Sequence, residues 1–457
     1  RFINPVLTLS QPDEDIVQLV YSGLIRMRPD GTVAPDLAAS YNISEDGTTY
    51  TFTIRENAVF HDGTPVTATD VLFTVAAAQN PLIKSPRRAD WEGVQVSAPD
   101  VHTVIFKLPH AYTPFIENTT IGILPKHVWE NVSAEEFPFS PANTRPVGSG
   151  PYQIVRTETD STGTATRIDL APFSEYVLGT PYLKRISFIF YPNHAEMIEA
   201  FEAHKIDAIA GIAGGELETL KRRDFSIVRV ALPRVFGVFF NQNHAPALAD
   251  AAARAALLAA IDKQEIVRSV FGGYGVPLES AIPPGVVGVT APATPMPFTE
   301  TAASLNATTT PNTAAAETAR VILSRGGWTF DDEALVWEKK KVELSLILAT
   351  ADEPELLATA NAVAEYWRAA GVKVAVQIYP LSELNTNVIR PRAYDAILFG
   401  EVVGRTADLF AFWHSSQRND PGLNLAMYAN TRVDSYLAQA RKITDKKQRE
   451  KLYEQFN

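Results

Sequence analysis

The sequence predicts an α/β protein of more than one domain, and three observations carry that expectation. The chain has 457 residues, too many for a single hydrophobic core. Residues 50–78 read in succession as a strand, a tight aspartyl turn and a buried helix. Two later stretches, 186–210 and 342–378, alternate apolar strand patterns with amphipathic helices, the mark of strand–helix–strand units.

Composition narrows the function classes. At 46% hydrophobic and 20% charged, the chain is an ordinary globular one, with no uncharged apolar run long enough to span a membrane. A net charge of −11 and the lack of a dense Lys/Arg stripe argue against a nucleic-acid partner. The basic cluster Lys339 to Lys341 reads as solvated. With no cysteine, disulfides, thiolate metal sites and cysteine nucleophiles are excluded together. Arg1-Phe-Ile-Asn-Pro5 begins as though a segment had been removed upstream, and the chain stops within a helical pattern at 452–457, so a fragment is expected.

In order, a helix is expected over Asp15 to Leu24, with Val17, Val20, Tyr21 and Leu24 on one face and Gly23 near its end. A short strand follows over 24–27, turned at Arg28 to Gly31. Tyr41 to Ile54 is a hairpin closed by Glu45-Asp-Gly47, and its second strand alternates Tyr50, Phe52 and Ile54 with threonines. His61 to Pro65 is a tight turn in which Asp62 bonds forward to its own backbone and Gly63 supplies positive φ. Thr67 and Asp70 have capping-box spacing, and Val71, Leu72, Val75 and Ala78 then point to a core. His61 beside Asp62 reads as architecture, because no third group is fixed nearby to orient an acid–base pair. Val101 to Leu108 is a strand entered through Pro99-Asp100.

The glycine-rich run Pro146 to Tyr152 invites a phosphate reading, but Pro151 removes an amide donor and no Gly-Lys-Ser/Thr follows. Strands are expected at 152–156, 168–170 and 186–191, the last apolar enough for a sheet covered on both faces. Helix 194–202 and a short buried strand, Ile206 to Ala210, complete a crossover unit. Val235 to Asn241 is a strand, Ala251 to Ala260 a helix, and 289–316 a Thr/Ala/Pro-rich loop with Glu300 its only charge. Asn306-Ala-Thr308 fits a glycosylation sequon, a pattern of little weight here. Beyond it lie strand 342–348, helix Glu355 to Ala370 stopped by Gly371, strand 372–378, strand 396–399 and helix 433–443.

Phe60, Asp62, Gly63, Ala68, Asp70, Val71, Phe73 and Thr74 stand in the pattern F-x-D-G-x-x-x-x-A-x-D-V-x-F-[ST]. On these residues the chain resembles family 5 of the bacterial extracellular solute-binding proteins, the peptide- and nickel-binding receptors of ABC importers. Further family marks are Gly148-Ser-Gly-Pro-Tyr152, Ala260-Ile-Asp-Lys263 and the Ala319 to Trp328 element. The resemblance implies a periplasmic-binding-protein-like α/β fold, two lobes joined by crossing hinge strands with an extra subdomain inserted in the first. Residues 1–40 and 146–238 would form lobe I, to be completed by a segment beyond this chain; 41–145 subdomain II; and 239–457 lobe III with the 289–316 loop.

It further implies a receptor that captures a peptide-like ligand in an interlobe cleft by hinge closure and delivers it to a membrane permease. A monomer outside the cytoplasm is expected, anchored through a removed N-terminal segment, with no cofactor, no metal and no catalytic residue. Among candidate ligand residues, Phe239 and Asn241 lie on the crossing strand, with Phe239 expected on the cleft wall. Trp413 or His414 would face the cleft as well, core packing being the other reading for Trp413. Arg390 and Arg405 flank the 396–399 strand, and one of them would meet a ligand carboxylate or peptide carbonyl. The competing reading pairs either with Glu401 or Asp408 at the surface. Asp408 matches a family aspartate that caps the next helix, and Ser10 completes the set.

Two departures matter. Gly404 stands where peptide-binding relatives place an amine-binding acid, and Asp352-Glu-Pro-Glu355 where dipeptide binders use an arginine. Recognition through the peptide backbone stays open. Two alternatives accompany the receptor: a ligand sensor for a chemoreceptor, which would share this fold, and a secreted hydrolase. For the hydrolase, no Gly-x-Ser-x-Gly or His-Glu-x-x-His occurs and the nearest histidines, His102 and His110, are eight apart. A glycosidase-type carboxylate pair stays possible from sequence alone.

Overall fold

The computed structural model describes residues 3–8, 10–28, 32–212, 216–217, 220, 224–228, 234–282, 313–402, 408–420, 422–443 and 445–457. The chain divides into two units, Arg1–Met197 with Arg441–Asp445, and Ile198–Ala440 with Lys446–Asn457.

In unit 1, helix α1 (Gln11–Val20) starts where Ser10, in extended backbone, accepts the Asp13 amide on its hydroxyl. Asp13 and Glu14 occupy the first turn, where the helix dipole favours acids. Ile16, Val17 and Val20 are its buried stripe. The helix expected over 15–24 is therefore shifted by four residues. Tyr21 leaves helical backbone, and residues 21–24 run extended between two other segments. That run is packed backbone to backbone: the Gly150 amide donates to the Val20 carbonyl and the Ile123 amide to the Ser22 carbonyl. A Cβ on Gly148 would lie 1.9 Å from the Val20 oxygen, and one on Gly122 2.5 Å from the Tyr21 Cβ.

Strands β1 (Ile25–Met27) and β2 (Val33–Pro35) pair as a two-stranded ribbon. Strands β3 (Ala38–Ile43), β4 (Thr49–Ile54), β5 (Gln95–Ser97) and β6 (Thr103–Lys107) form an antiparallel sheet in the order β3-β4-β6-β5. Alternation in β4 behaves as the sequence implies: Tyr50, Phe52 and Ile54 are buried. The Tyr50 ring meets Phe115 and the Phe52 ring Phe106, both edge-on, and Trp91 packs against Phe106 and Phe115 in turn. Helix α2 (Ala68–Gln79) follows the aspartyl turn and buries Val71, Thr74, Val75 and Ala78, while Leu72 is only half-buried. Asp70 accepts the Thr67 amide on Oδ2 and the Lys126 amide on Oδ1, both at 2.8 Å, tying the helix start to the following layer. Strands β7 (Tyr152–Thr159), β8 (Ala165–Pro172) and β9 (Ile186–Ile189) make an antiparallel meander.

The crossover expected at 186–210 is not present. β9 pairs antiparallel with β8 and is half-buried, and after helix α3 (His194–Glu202) residues 206–210 carry no ladder and are mostly exposed. An apolar run of four or five residues needs a partner edge to become a strand, and this one meets none among the described residues.

Unit 2 is built on a mixed sheet in the order β10-β16-β14-β15: β10 (Arg234–Phe240), β14 (Ser345–Ala351), β15 (Lys373–Tyr379) and β16 (Ala396–Val402). β10 runs antiparallel to β16, whereas β14 is parallel to both β15 and β16. Between β14 and β15 the chain crosses through helix α6, since α4 (Ala251–Ala259) and α5 (Thr313–Arg325) precede it and α6 spans Pro354–Ala369. Gly371, at φ +88°, ends α6 in left-handed backbone. The small ribbon β11 (Thr329–Asp331), β12 (Val336–Lys339) and β13 (Val342–Glu343) precedes β14, and α7 (Thr431–Ala440) and α8 (Lys446–Phe456) come last. Most of the loop expected at 289–316 lies outside the described residues; its last residues, from Thr313, already belong to α5.

Candidate functional site

In unit 1, local chemistry bolts two turns together. Asn4, fully buried, donates its side-chain amide to Asn143 Oδ1 and accepts the Val6 amide, both at 2.9 Å. Its carbonyl accepts the Leu7 and Thr8 amides, which fixes the turn ahead of α1. The Ser85 hydroxyl donates to the Val6 carbonyl (2.6 Å) and accepts the Arg87 amide (3.1 Å). A concavity of about 380 Å³ results, lined by Thr8, Ser10, Gln11, Glu14, Gln18, Pro86 and Arg87. Gln11, Glu14 and Gln18 are spaced at i, i+3 and i+7, so one face of α1 supplies three of the seven lining residues. Arg87 reaches Glu14 through a single contact, Nη2 to Oε2 at 3.1 Å. Burial pushes the Asp90 carboxyl above its usual range, and Arg87 pulls the other way.

The aspartyl turn is architecture. The Gly148 amide donates to His61 Nδ1 (3.3 Å), so Nε2 carries the proton that binds the Gly150 carbonyl (3.1 Å). Burial holds His61 below the usual imidazole range, with the Gly150 bond and the Asp62 charge opposing. Asp62 accepts the Thr64 amide, as its turn demands, and meets His127 Nε2 at 2.8 Å. Burial would raise Asp62, but the His127 and Thr64 bonds bring it below the ordinary carboxylate value. No nucleophile stands beside either histidine in these contacts.

Unit 2 places the remaining candidates. Phe239 is 7% exposed in that unit's core, its ring alongside Gly237. Asn241 is buried and donates to the Arg392 carbonyl at 2.8 Å, joining the end of β10 to the turn before β16. Arg390 is exposed and pairs with Asp420 at 3.9 Å. Asp408 is half-buried and its carbonyl accepts the Ala411 amide. Trp413 is half-buried between the Tyr428 and Phe456 rings, each 6.2 Å away. His414 stacks on Phe410 at 3.9 Å and accepts the Ser416 amide on Nδ1. Arg405 and Gly404 lie outside the described residues.

Of the predicted set, then, Ser10 belongs to the unit 1 concavity, and Trp413 and His414 share one short helix and its end. Asn241 reaches the neighbourhood of Arg390 through Arg392. Thr8, Gln11, Glu14, Gln18, Pro86 and Arg87 were not among the predicted residues. The helix boundary is the reason: a helix begun at Asp15 leaves Gln11 and Glu14 off the helical face. The i, i+3, i+7 run of polar residues opposite Ile16, Val17 and Val20 was the available signal. Nothing in the sequence brings Arg87 there, since that depends on the Ser85–Val6 bond.

A model of the bacterial extracellular solute-binding proteins, family 5, matches residues 32–422. The chain belongs to that family. As a family 5 solute-binding protein it is 27% identical over 463 residues to the oligopeptide-binding protein AppA of Bacillus subtilis, covering 99% of this chain and 80% of AppA. It is 26% identical over 476 residues to the probable D,D-dipeptide-binding periplasmic protein DdpA of Escherichia coli, covering 99% and 83%. The fold is shared with CtaP, an ABC transporter substrate binding protein from Listeria monocytogenes, at a TM-score of 0.77 and 25% identity, over 100% of this chain and 87% of that one. The receptor role in an importer and the α/β solute-binding fold follow. Family 5 proteins act outside the cytoplasm, and no described helix is long and apolar enough to cross a membrane.

Proposed function

We propose that this family 5 receptor captures a peptide-like solute, hands it unaltered to a membrane permease and works as a monomer without catalytic turnover. The family match over 32–422 carries the reading. Relatives named for oligopeptides and D,D-dipeptides support the ligand class. The unit 1 concavity supports it chemically: two side-chain amides, two hydroxyls and one ion pair match the donors and acceptors of a peptide far better than those of an apolar solute. In this reading the concavity is part of the ligand wall, and Ser10 is a ligand residue. Incubation with peptide and glycoside pools, followed by mass spectrometry, should find bound peptides intact at one equivalent or less. Multiple turnover of any pool member, or no retained peptide of any length, overturns the proposal.

A further inference from the structure

The Glu14–Arg87 pair has a geometry that a purely structural ion pair would not need. Both side chains line the concavity, at 27% and 41% exposure, and they meet through one hydrogen bond rather than a two-pronged fork. Glu14 Oε1 and Arg87 Nε and Nη1 therefore have no hydrogen bond among the described residues. Arg87 also acts electrostatically on Asp90. An exposed single-contact pair contributes little to stability, so opening it costs little. In the same lining, the Thr8 hydroxyl is buried, 3% exposed for the residue, and has no partner among the described residues. A buried hydroxyl without a partner is an unusual thing to keep in a wall unless something else bonds it. Gln11 and Gln18 stand on either side of Glu14 along the same helical face.

We infer that Glu14 and Arg87 are the charge selector of this wall: they part to seat a ligand bearing an ammonium and a carboxylate a short distance apart, a free dipeptide. The ammonium goes to Glu14 and the carboxylate to Arg87, whose planar fork suits it. Gln11, Gln18 and Thr8 supply the neutral hydrogen bonds for the peptide unit between. A longer peptide, with its termini far apart, cannot satisfy both charges at once. The inference rests on the receptor reading above and adds the ligand's length and charge to it.

Calorimetry with an equimolar pool of dipeptides tests it, in free, N-acetylated and C-amidated forms, on the parent, Glu14→Gln and Arg87→Gln. Truncating a desolvated charge pair typically costs ~2 kcal/mol or more, about thirtyfold in affinity. The parent should therefore lose about thirtyfold or more on either blocking step. Glu14→Gln should bind free and acetylated forms alike, and Arg87→Gln free and amidated forms alike. Both positions are partly exposed and the substitutions nearly isosteric; thermal melts matching the parent confirm folding. The parent measured on blocked dipeptides alone keeps the inference exposed. If all forms bind within about twofold, or only longer peptides bind, the selector role falls and the receptor reading stands. If no peptide of any length binds, both fall.

Discussion

A methyl group at position 148 would sit 1.9 Å from the Val20 carbonyl oxygen and 2.7 Å from its carbon, backbone atoms that cannot swing aside as a side chain can. Gly148→Ala should cost at least about 2 kcal/mol, read as a lower denaturant midpoint; an unchanged midpoint would show that the 148–150 run can shift. Asp250 makes a second prediction. It caps α4 through the Ala252 and Ala253 amides and bonds Lys339, and these contacts, Lys339 first, hold it at about 2 against the ordinary 3.8. A folded value below the unfolded one means stability that is complete above pH ~4 and is lost as pH falls through about 2. Asp250→Asn keeps the cap and removes the charge. It should lose about 2 kcal/mol at neutral pH and show a flatter acid limb between pH 4 and 2. If parent and variant acid limbs run parallel, the Lys339 bond does not carry the shift. At this scale the sequence was legible where a residue acts on its own neighbours. Asp62 bonding Thr64 and Asp70 closing its box on Thr67 were readable from spacing. Ser85 reaching Val6 and Lys339 reaching Asp250 join residues 79 and 89 apart, and no local pattern announces them.

Elements were legible in proportion to their periodicity. β4 alternates strictly and was read to the residue at its C-terminal end, and α6 was placed within one residue at each end because Pro354 and Gly371 bracket it. α1 was misplaced because Gly23 looks like a helix stop, whereas its role is close backbone approach: a Cβ there would meet the Thr120 carbonyl at 2.5 Å. The end of β10 illustrates tertiary chemistry that no period encodes. Arg392, at φ +58°, is buried and donates to the carbonyls of Ile389, Arg418 and Gly422, while its own carbonyl accepts from Asn241. Asn241→Leu should leave that carbonyl without its donor and cost about 1–3 kcal/mol in denaturant unfolding. A loss below about 0.5 kcal/mol would mean that water or a shifted turn takes over the bond.

For the whole molecule, five of the six tryptophans, Trp91, Trp129, Trp328, Trp337 and Trp367, are at most 6% exposed, and Trp413 alone is half-buried. Acrylamide quenching should thus be dominated by one residue, and Trp413→Phe should remove most of the quenchable emission. Quenching that survives the substitution would place another tryptophan at the surface. The family was legible across the chain because its signature is architecture: Asp62, Gly63 and Asp70 shape a turn and a helix start, and such residues tolerate little change of type. The ligand was not, because the side chains that would meet it sit on a scaffold that constrains only where they stand. Thr8, Glu14 and Arg87 are ordinary residues until Asn4 and Ser85 bring them to one wall.

Unit 1 also contains Arg441–Asp445, and that changes the order in which it can be finished. The Thr113 hydroxyl and amide both donate to the Arg441 carbonyl, at 3.0 and 3.2 Å, and the Arg441 guanidinium lies 5.4 Å above the Tyr112 ring. On the ribosome, everything else in unit 1 is synthesised first, and this patch arrives only after nearly all of unit 2. A nascent chain stalled at Ala440 would lack the Arg441 contacts to Thr113 and Tyr112. Within this chain, the contacts of 441–445 thereby wait until residues 198–440 have been made.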